Sequence, residues 1–295
     1  MKHLIATLAM LTALLACVGA SWSADPKLTI VFSGNSEGAV KPCPVCGGKI
    51  IGGLGRRATY INDLRQSMGK NVPVFAVSGG FEFLPEDGKQ PTQAKLKALA
   101  EAYSKINFDL GLLSPAEAAA LRKAGTTLPG QWVTAPEVTE TELPLPAGQK
   151  VGFVLLPPLT PTEKEAPKEL IRLVSRAVEH QRKTAKIVVA VSPWGYFVEL
   201  TYLRTLDAVL PDILLGAGPG PGFKGMVAGE GKTYWMRAYG LGKALNRIEV
   251  LDWPGRDPGF RWRDEEDIRS LNIGLTDQVR DDTSVSSLFD GMDTD

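Results

Sequence analysis

Apolar positions recur along the chain in two alternating rhythms. Short runs of aliphatic and β-branched residues, at 28–33, 72–77, 109–113, 150–156, 187–191 and 213–215, end in loops of glycine, proline, asparagine or serine. Between them, apolar residues return every three or four positions: Leu54, Ala58, Ile61 and Leu64 within 54–67, then Leu96, Leu99, Ala100 and Tyr103 within 92–106. The first rhythm is that of buried strands and the second that of helices with one apolar face. A helix is also expected over 115–123, with Pro115 in the first turn, where a missing N–H does no harm. A long amphipathic helix is expected over 162–183, disturbed near its start by Pro167, and 233–238 and 245–251 read as late antiparallel strands. Strand, loop and helix in repetition predict a layered α/β fold with its loops gathered at the strand ends. After Trp253 charge density rises and periodicity fades, so 253–295 reads as a C-terminal extension and 281–295 as a disordered acidic tail.

The first 24 residues follow another pattern. Lys2 precedes an apolar run from Leu4 to Leu15, and small residues follow, the layout of a secretory signal too short for a comfortable membrane span. Within it, Leu14-Leu15-Ala16-Cys17 reads as a bacterial lipobox that would make Cys17 a lipidated N-terminus. The alternative is ordinary cleavage after Ala20 or near Ala24, which discards Cys17. Either outcome places the chain in the periplasm or cell envelope, with membrane association only through a lipid anchor.

Composition narrows the chemistry. The chain of 295 residues balances 33 basic against 33 acidic residues, which gives no electrostatic reason to expect nucleic acid. Of two histidines and three cysteines, His3 and Cys17 belong to the export segment, leaving His180, Cys43 and Cys46. His180 falls inside the long amphipathic helix and reads as a surface residue. Two phosphate-loop lookalikes carry no nucleotide site. Gly220-Pro221-Gly222-Phe223-Lys224-Gly225 has the glycine spacing but no helix behind it to present N–H groups to a phosphate. Gly231-Lys232-Thr233 has Met226 where the first glycine belongs and runs on into a strand.

The opening strand with Gly34-Asn35-Ser36-Glu37-Gly38, followed by Gly52-Gly53-Leu54-Gly55-Arg56-Arg57-Ala58-Thr59, resembles the start of the UshA-like 5'-nucleotidase/calcineurin-like metallophosphatase family. The resemblance continues in order through 73–80, 108–117, 189–195, 212–219 and 239–250, and so covers about residues 27–252. It implies a single-domain, four-layer α/β/β/α sandwich and, in ordinary members, a two-metal phosphoesterase site at the strand ends. On this resemblance no counterpart of the family's C-terminal nucleotide-recognition domain is expected in the sequence.

The same resemblance implies that the ligand positions are degenerate. Asn35 and Glu37 stand where Asp and His are expected, Phe81 where a bridging Asp is expected, and Pro115 and Ala116 for Asn and His. Pro193 stands for a further His, and Ala217 and Pro219 for the last two. Phe, Pro and Ala side chains offer no donor to a hard divalent ion, so no metal cofactor is expected and phosphatase activity is not.

What the sequence adds is Pro42-Cys43-Pro44-Val45-Cys46-Gly47-Gly48. Such a pair can form a static disulfide, act as a reversible dithiol, or supply two of the ligands of a soft-metal site. Outside the cytosol the oxidised state is the default. A subgroup of UshA-like proteins resembling this one carries Cys or selenocysteine here, which implies redox chemistry. Cys43 and Cys46 are therefore the redox candidates, with an unidentified redox or envelope partner. Two alternatives stay open: a phosphoesterase with an unorthodox metal site using Asn35, Glu37 and Glu82, and a non-enzymatic envelope protein that binds through Trp194, Tyr196 and Phe223.

Overall fold

Strand β1 (Leu28–Ser33) divides its apolar residues between two cores. Leu28, Ile30 and Phe32 join one buried cluster, and Val31 joins another on the opposite face. This two-residue period is repeated across the molecule. The computed structural model describes residues 25–46, 49–85, 89–128, 132–160 and 163–292, with their side chains apart from those of 44–46 and 49. The signal-like segment with Cys17, and Gly47 and Gly48, lie outside the described residues.

In chain order, β1 is followed by a hairpin of β2 (Cys43–Cys46) and β3 (Lys49–Ile51), then α1 (Leu54–Met68), β4 (Val74–Ser78), α2 (Gln93–Ile106), β5 (Leu110–Leu113), α3 (Pro115–Lys123) and β6 (Trp132–Thr134). The second half runs β7 (Thr139–Pro144), β8 (Lys150–Leu155), α4 (Lys168–Arg182), β9 (Ile187–Ser192), α5 (Tyr196–Leu203), β10 (Ile213–Gly216), β11 (Phe223–Ala228) and β12 (Thr233–Arg237). It closes with β13 (Ala244–Val250), β14 (Ile268–Gly274) and the single-turn α6 (Thr283–Ser286). One six-stranded sheet has the order β14-β13-β1-β4-β5-β6 and the other β11-β12-β10-β9-β8-β7.

The two sheets face each other across a shared core in which Ile30, Phe32 and Val77 meet Phe153, Val189, Val191 and Leu215. Helices α1, α2 and α3 cover the outer face of the first sheet, and α4 and α5 that of the second. The result is the expected four-layer α/β/β/α sandwich. Parallel strands β1, β4 and β5 in one sheet, and β8, β9, β10 and β12 in the other, present their C-terminal ends at one face.

Several expectations need correction. The segment 233–238 pairs parallel with β10 and antiparallel only with β11, because β12 returns to the sheet by a hairpin from β11. The long helix begins at Lys168, since Pro167 supplies its N-cap instead of interrupting it. The sandwich does not end at residue 252: β14 pairs with β13 over seven residues, Ile268 to Gly274. The tail is ordered through residue 292, not disordered from 281. Val285 and Phe289 are four residues apart and bury against α1 and α2, and the Asp282 side chain accepts the Ser284 N–H to cap α6. Two apolar residues in so short a stretch leave no periodic signal, yet they fill a gap already prepared by the larger helices.

Candidate functional site

Glycine sets the entry to the site. Gly52 and Gly53 precede α1 with φ of 102° and 104°, a region that side chains rarely adopt. A Cβ on Gly53 would meet Pro42 at 3.0 Å. The Gly-Gly step therefore lets α1 start directly beneath the strand-end loops and delivers Arg57 into the interior.

Arg57 and Glu82 are 1% and 0% exposed. Arg57 Nη1 donates to Glu82 Oε2 (3.2 Å) and to the Tyr103 hydroxyl (3.0 Å), and Nη2 donates to Ser36 Oγ (2.7 Å). Glu82 also accepts from Ser33 Oγ (2.6 Å), Ser78 Oγ (2.9 Å) and Tyr103 OH (2.7 Å). Burial pushes the Glu82 carboxyl up, but the Arg57 charge and the hydroxyl donors outweigh it and hold it below the usual carboxylate range. Every strong acceptor of Glu82 is thus spent on the protein itself.

A second buried pair braces the opposite sheet. Glu199, in the first turn of α5, accepts from Arg237 Nη1 and from Trp235 Nε1 (2.9 Å). Arg237 Nη2 in turn donates to the carbonyls of Ala217, Gly218 and Pro219, and its Nε donates to Pro221. Complete burial raises the Glu199 carboxyl, against the pull of Arg237 and Trp235, to about 7.

Between these braces the loops are zipped together. Asn35 N, Glu37 N and Gly38 N donate to the carbonyls of Gly80, Phe81 and Glu82 at 3.0, 2.9 and 2.9 Å. Glu117, the N3 residue of α3, completes a capping box with Ser114 and also accepts from the N–H groups of Phe81 (3.3 Å) and Phe83 (2.9 Å). Its burial raises its carboxyl above the usual value. Asn35, Glu37 and Phe81 all have left-handed backbones, with φ of 55°, 55° and 58°. Asparagine tolerates this region; a bulky phenylalanine there is a true outlier.

The two halves then meet through Asn35. Its Nδ2 donates to Gly218 O (3.1 Å) and its Oδ1 accepts from Gly218 N (2.8 Å), a two-way clasp between the β1 loop and the β10 loop. Behind the clasp, Ala217 Cβ lies 3.3 Å and 2.9 Å from where a Cβ on Gly34 or Gly79 would stand. Beside it opens a cavity of about 320 Å³, walled by Phe81, Leu112, Leu159, Pro193, Trp194 and Pro219, with Ser114, Thr160 and Glu163 as its polar side chains.

The resemblance-derived positions thus fall on one face but play different parts. Asn35 is the clasp, Ala217 is buried packing, Phe81, Pro193 and Pro219 line the cavity, and Pro115 and Ala116 are exposed on the first turn of α3. Glu37 is half-buried. Trp194 is not exposed: it is 6% accessible and donates its Nε1 to Pro157 O (2.7 Å). Tyr196 and Phe223 are half-buried and pack on Trp235. Among the described residues no group of three or more His, Cys, Asp or Glu could hold a metal ion. His180 lies on the surface of α4, with Nδ1 2.7 Å from Glu140.

Cys43 is disulfide-bonded. It sits in the β2–β3 hairpin, which belongs to neither large sheet, and it is not among the residues lining the 320 Å³ cavity. The hairpin is moored at its base, where Arg56 Nη1 donates to the carbonyls of Ile50 and Leu275 and Gly52 N donates to Leu275 O. The side chain of Cys46 lies outside those described.

Arg57, Glu117, Glu199 and Arg237 were not singled out from sequence. One signal for Arg57 was available: it falls within the apolar face of α1, beside Leu54, Ala58 and Ile61, where a surface arginine has no place. Arg237 and Glu199 left no comparable mark.

No protein-family model matches the chain, and no curated protein matches it in sequence. Solved structures do match in shape. The sulfate thiohydrolase SoxB of Thermus thermophilus superposes with a TM-score of 0.64 at 13% identity, over 90% of this chain and 60% of that one. A 5'-nucleotidase precursor, also from Thermus thermophilus, gives 0.62 at 15% identity, over 89% and 57%. The calcineurin-like phosphoesterase YfkN of Bacillus subtilis gives 0.53 at 13%, over 89% of this chain and 95% of that one. The chain therefore spans about three-fifths of the length of the first two. At these identities the likeness is one of architecture, and the sandwich built here from strand periodicity and layered cores is the fold of the 5'-nucleotidase/calcineurin-like metallophosphatases.

Proposed function

We propose that this is an exported envelope protein that uses the metallophosphatase fold without two-metal hydrolysis. The observation that carries this reading is the Asn35–Gly218 clasp, which joins the two loop sets directly at the strand ends. The donor chemistry agrees with it. Phe81, Pro115, Ala116, Pro193, Ala217 and Pro219 have no side-chain donor for a divalent ion, and Glu82 is consumed by Arg57, Tyr103 and two serines. The residues present do not fit a dinuclear centre.

The test is hydrolysis of nucleotides and aryl phosphate esters by the mature chain with added manganese, zinc or cobalt. Rates at the uncatalysed background are expected. A metal-dependent rate that disappears in Glu37→Gln would establish the phosphoesterase instead. Export and a Cys17 lipid anchor belong to the same proposal, and intact-mass analysis of the membrane fraction checks them: a soluble chain starting after Ala20 or Ala24 excludes the anchor.

A second reading assigns thiol–disulfide chemistry to Cys43 and Cys46. In its favour, Cys43 is disulfide-bonded and sits in a hairpin outside both sheets, so reduction need not disturb either core. A bridge closing so short a loop also stabilises the fold far less than the roughly 3 kcal/mol of a 15-residue loop. A potential between about −120 and −270 mV, with an unchanged melt in Cys43→Ser, is the expected result. A potential below about −300 mV and a collapsed melt would make the bridge a static staple.

A further inference from the structure

We propose that the strand-end cavity binds a small apolar amine, an organic cation with an aromatic or aliphatic body, and that Glu163 receives its ammonium group. The volume, about 320 Å³, lies at the lower end of the range of about 300–1,000 Å³ typical of small-molecule sites. Its lining includes the apolar residues Phe81, Trp194, Leu112, Leu159 and Pro193. An apolar body is the ligand part such walls accept.

Among the described residues, the only charged side chain on the lining is Glu163. It is held from one side: Thr160 N (2.6 Å) and Thr160 Oγ1 (2.8 Å) both donate to Oε2. The Oε1 atom accepts no hydrogen bond from the described residues, so the carboxylate is oriented by its own loop and has an acceptor left. Phe81 and Trp194 line the same cavity, and aromatic side chains attract positive charge at their faces. The third observation is Phe81 itself. Its left-handed backbone, φ 58°, is an unfavourable conformation for a bulky residue. It is maintained by Glu117 Oε2 accepting its N–H and by Glu37 N donating to its carbonyl. This strained residue is one of those that line the cavity.

This inference does not depend on the non-hydrolytic reading, and its test contains no phosphate ester. Titration calorimetry on the mature full chain would compare 2-phenylethylamine with 2-phenylethanol. Saturable binding of the amine is expected, with Kd below about 1 mM. Glu163→Gln should weaken the amine roughly tenfold and leave the alcohol unchanged, while Leu159→Trp should fill the cavity and abolish both. Circular dichroism confirms that each variant is folded. No saturable binding of the amine, equal affinity in Glu163→Gln, or binding that survives Leu159→Trp would each overturn the proposal.

Discussion

Replacing Arg57 with methionine isolates the electrostatic brace beneath the site. Methionine keeps most of the apolar stem but removes three hydrogen bonds, to Glu82, Tyr103 and Ser36. Both members of the ion pair are almost wholly buried, at 1% and 0% exposure, so Glu82 would be left as an uncompensated charge. Breaking a buried pair in this way destabilises by about 3–5 kcal/mol. For a chain of this size that corresponds to a melting temperature lower by roughly 10 °C.

The pH dependence carries the stronger signature. In the wild type Glu82 titrates below the ordinary carboxylate range, so the pair's stabilisation is complete above the unfolded glutamate value of about 4.3. It is lost only as pH falls through the depressed folded value. In Arg57→Met burial acts on Glu82 unopposed by that charge and raises it. The deficit of the variant should therefore be greatest at neutral pH and shrink as pH falls toward about 4.3. Urea unfolding from pH 4.5 to 8 measures this, and the Arg57→Met/Glu82→Gln double variant should recover part of the loss. A deficit below about 1 kcal/mol, or one that does not narrow on acidification, would refute the buried-charge argument.

Two further outcomes follow from the same structure. Phe289→Ala removes a side chain 3% exposed in the helix-layer core and should cost about 3–5 kcal/mol in urea unfolding; a change near zero would mean that the C-terminal turn is not part of the cooperative unit. Glu199 is raised to about 7, so between the unfolded value of about 4.3 and 7 the folded state holds a proton that the unfolded state releases. Stability should fall with rising pH across that window, and Glu199→Gln should flatten the slope; an unaltered profile would assign it to other groups.

The inner strands and the longer helices of the sandwich were legible because each carries a complete local pattern. Leu28–Ser33 and Ile187–Ser192 are continuous apolar runs bounded by turn residues, and 92–106 shows an unbroken helical face ending at Asn107, which takes a left-handed cap. The edge strands β6, β7, β11 and β14 and the short helix α5 were missed, and each of these strands borrows its stability from the strand it joins. A strand on the border of a sheet needs only one buried face and a partner's hydrogen bonds, neither of which the segment itself records.

The site divides the same way. The two cysteines with two residues between them are read from the sequence alone, and the family resemblance adds the expectation that Phe, Pro and Ala stand where ligands would. What joins the loops instead is decided by tertiary structure. Asn35 and Gly218 are 183 positions apart, Arg57 and Glu82 are 25, and Glu199 and Arg237 are 38. An arginine or asparagine has the same composition and local propensity whether it lies in solvent or spans two sheets. Its role is set by the partner that folding brings to it, and a buried charge can be maintained only where that partner arrives.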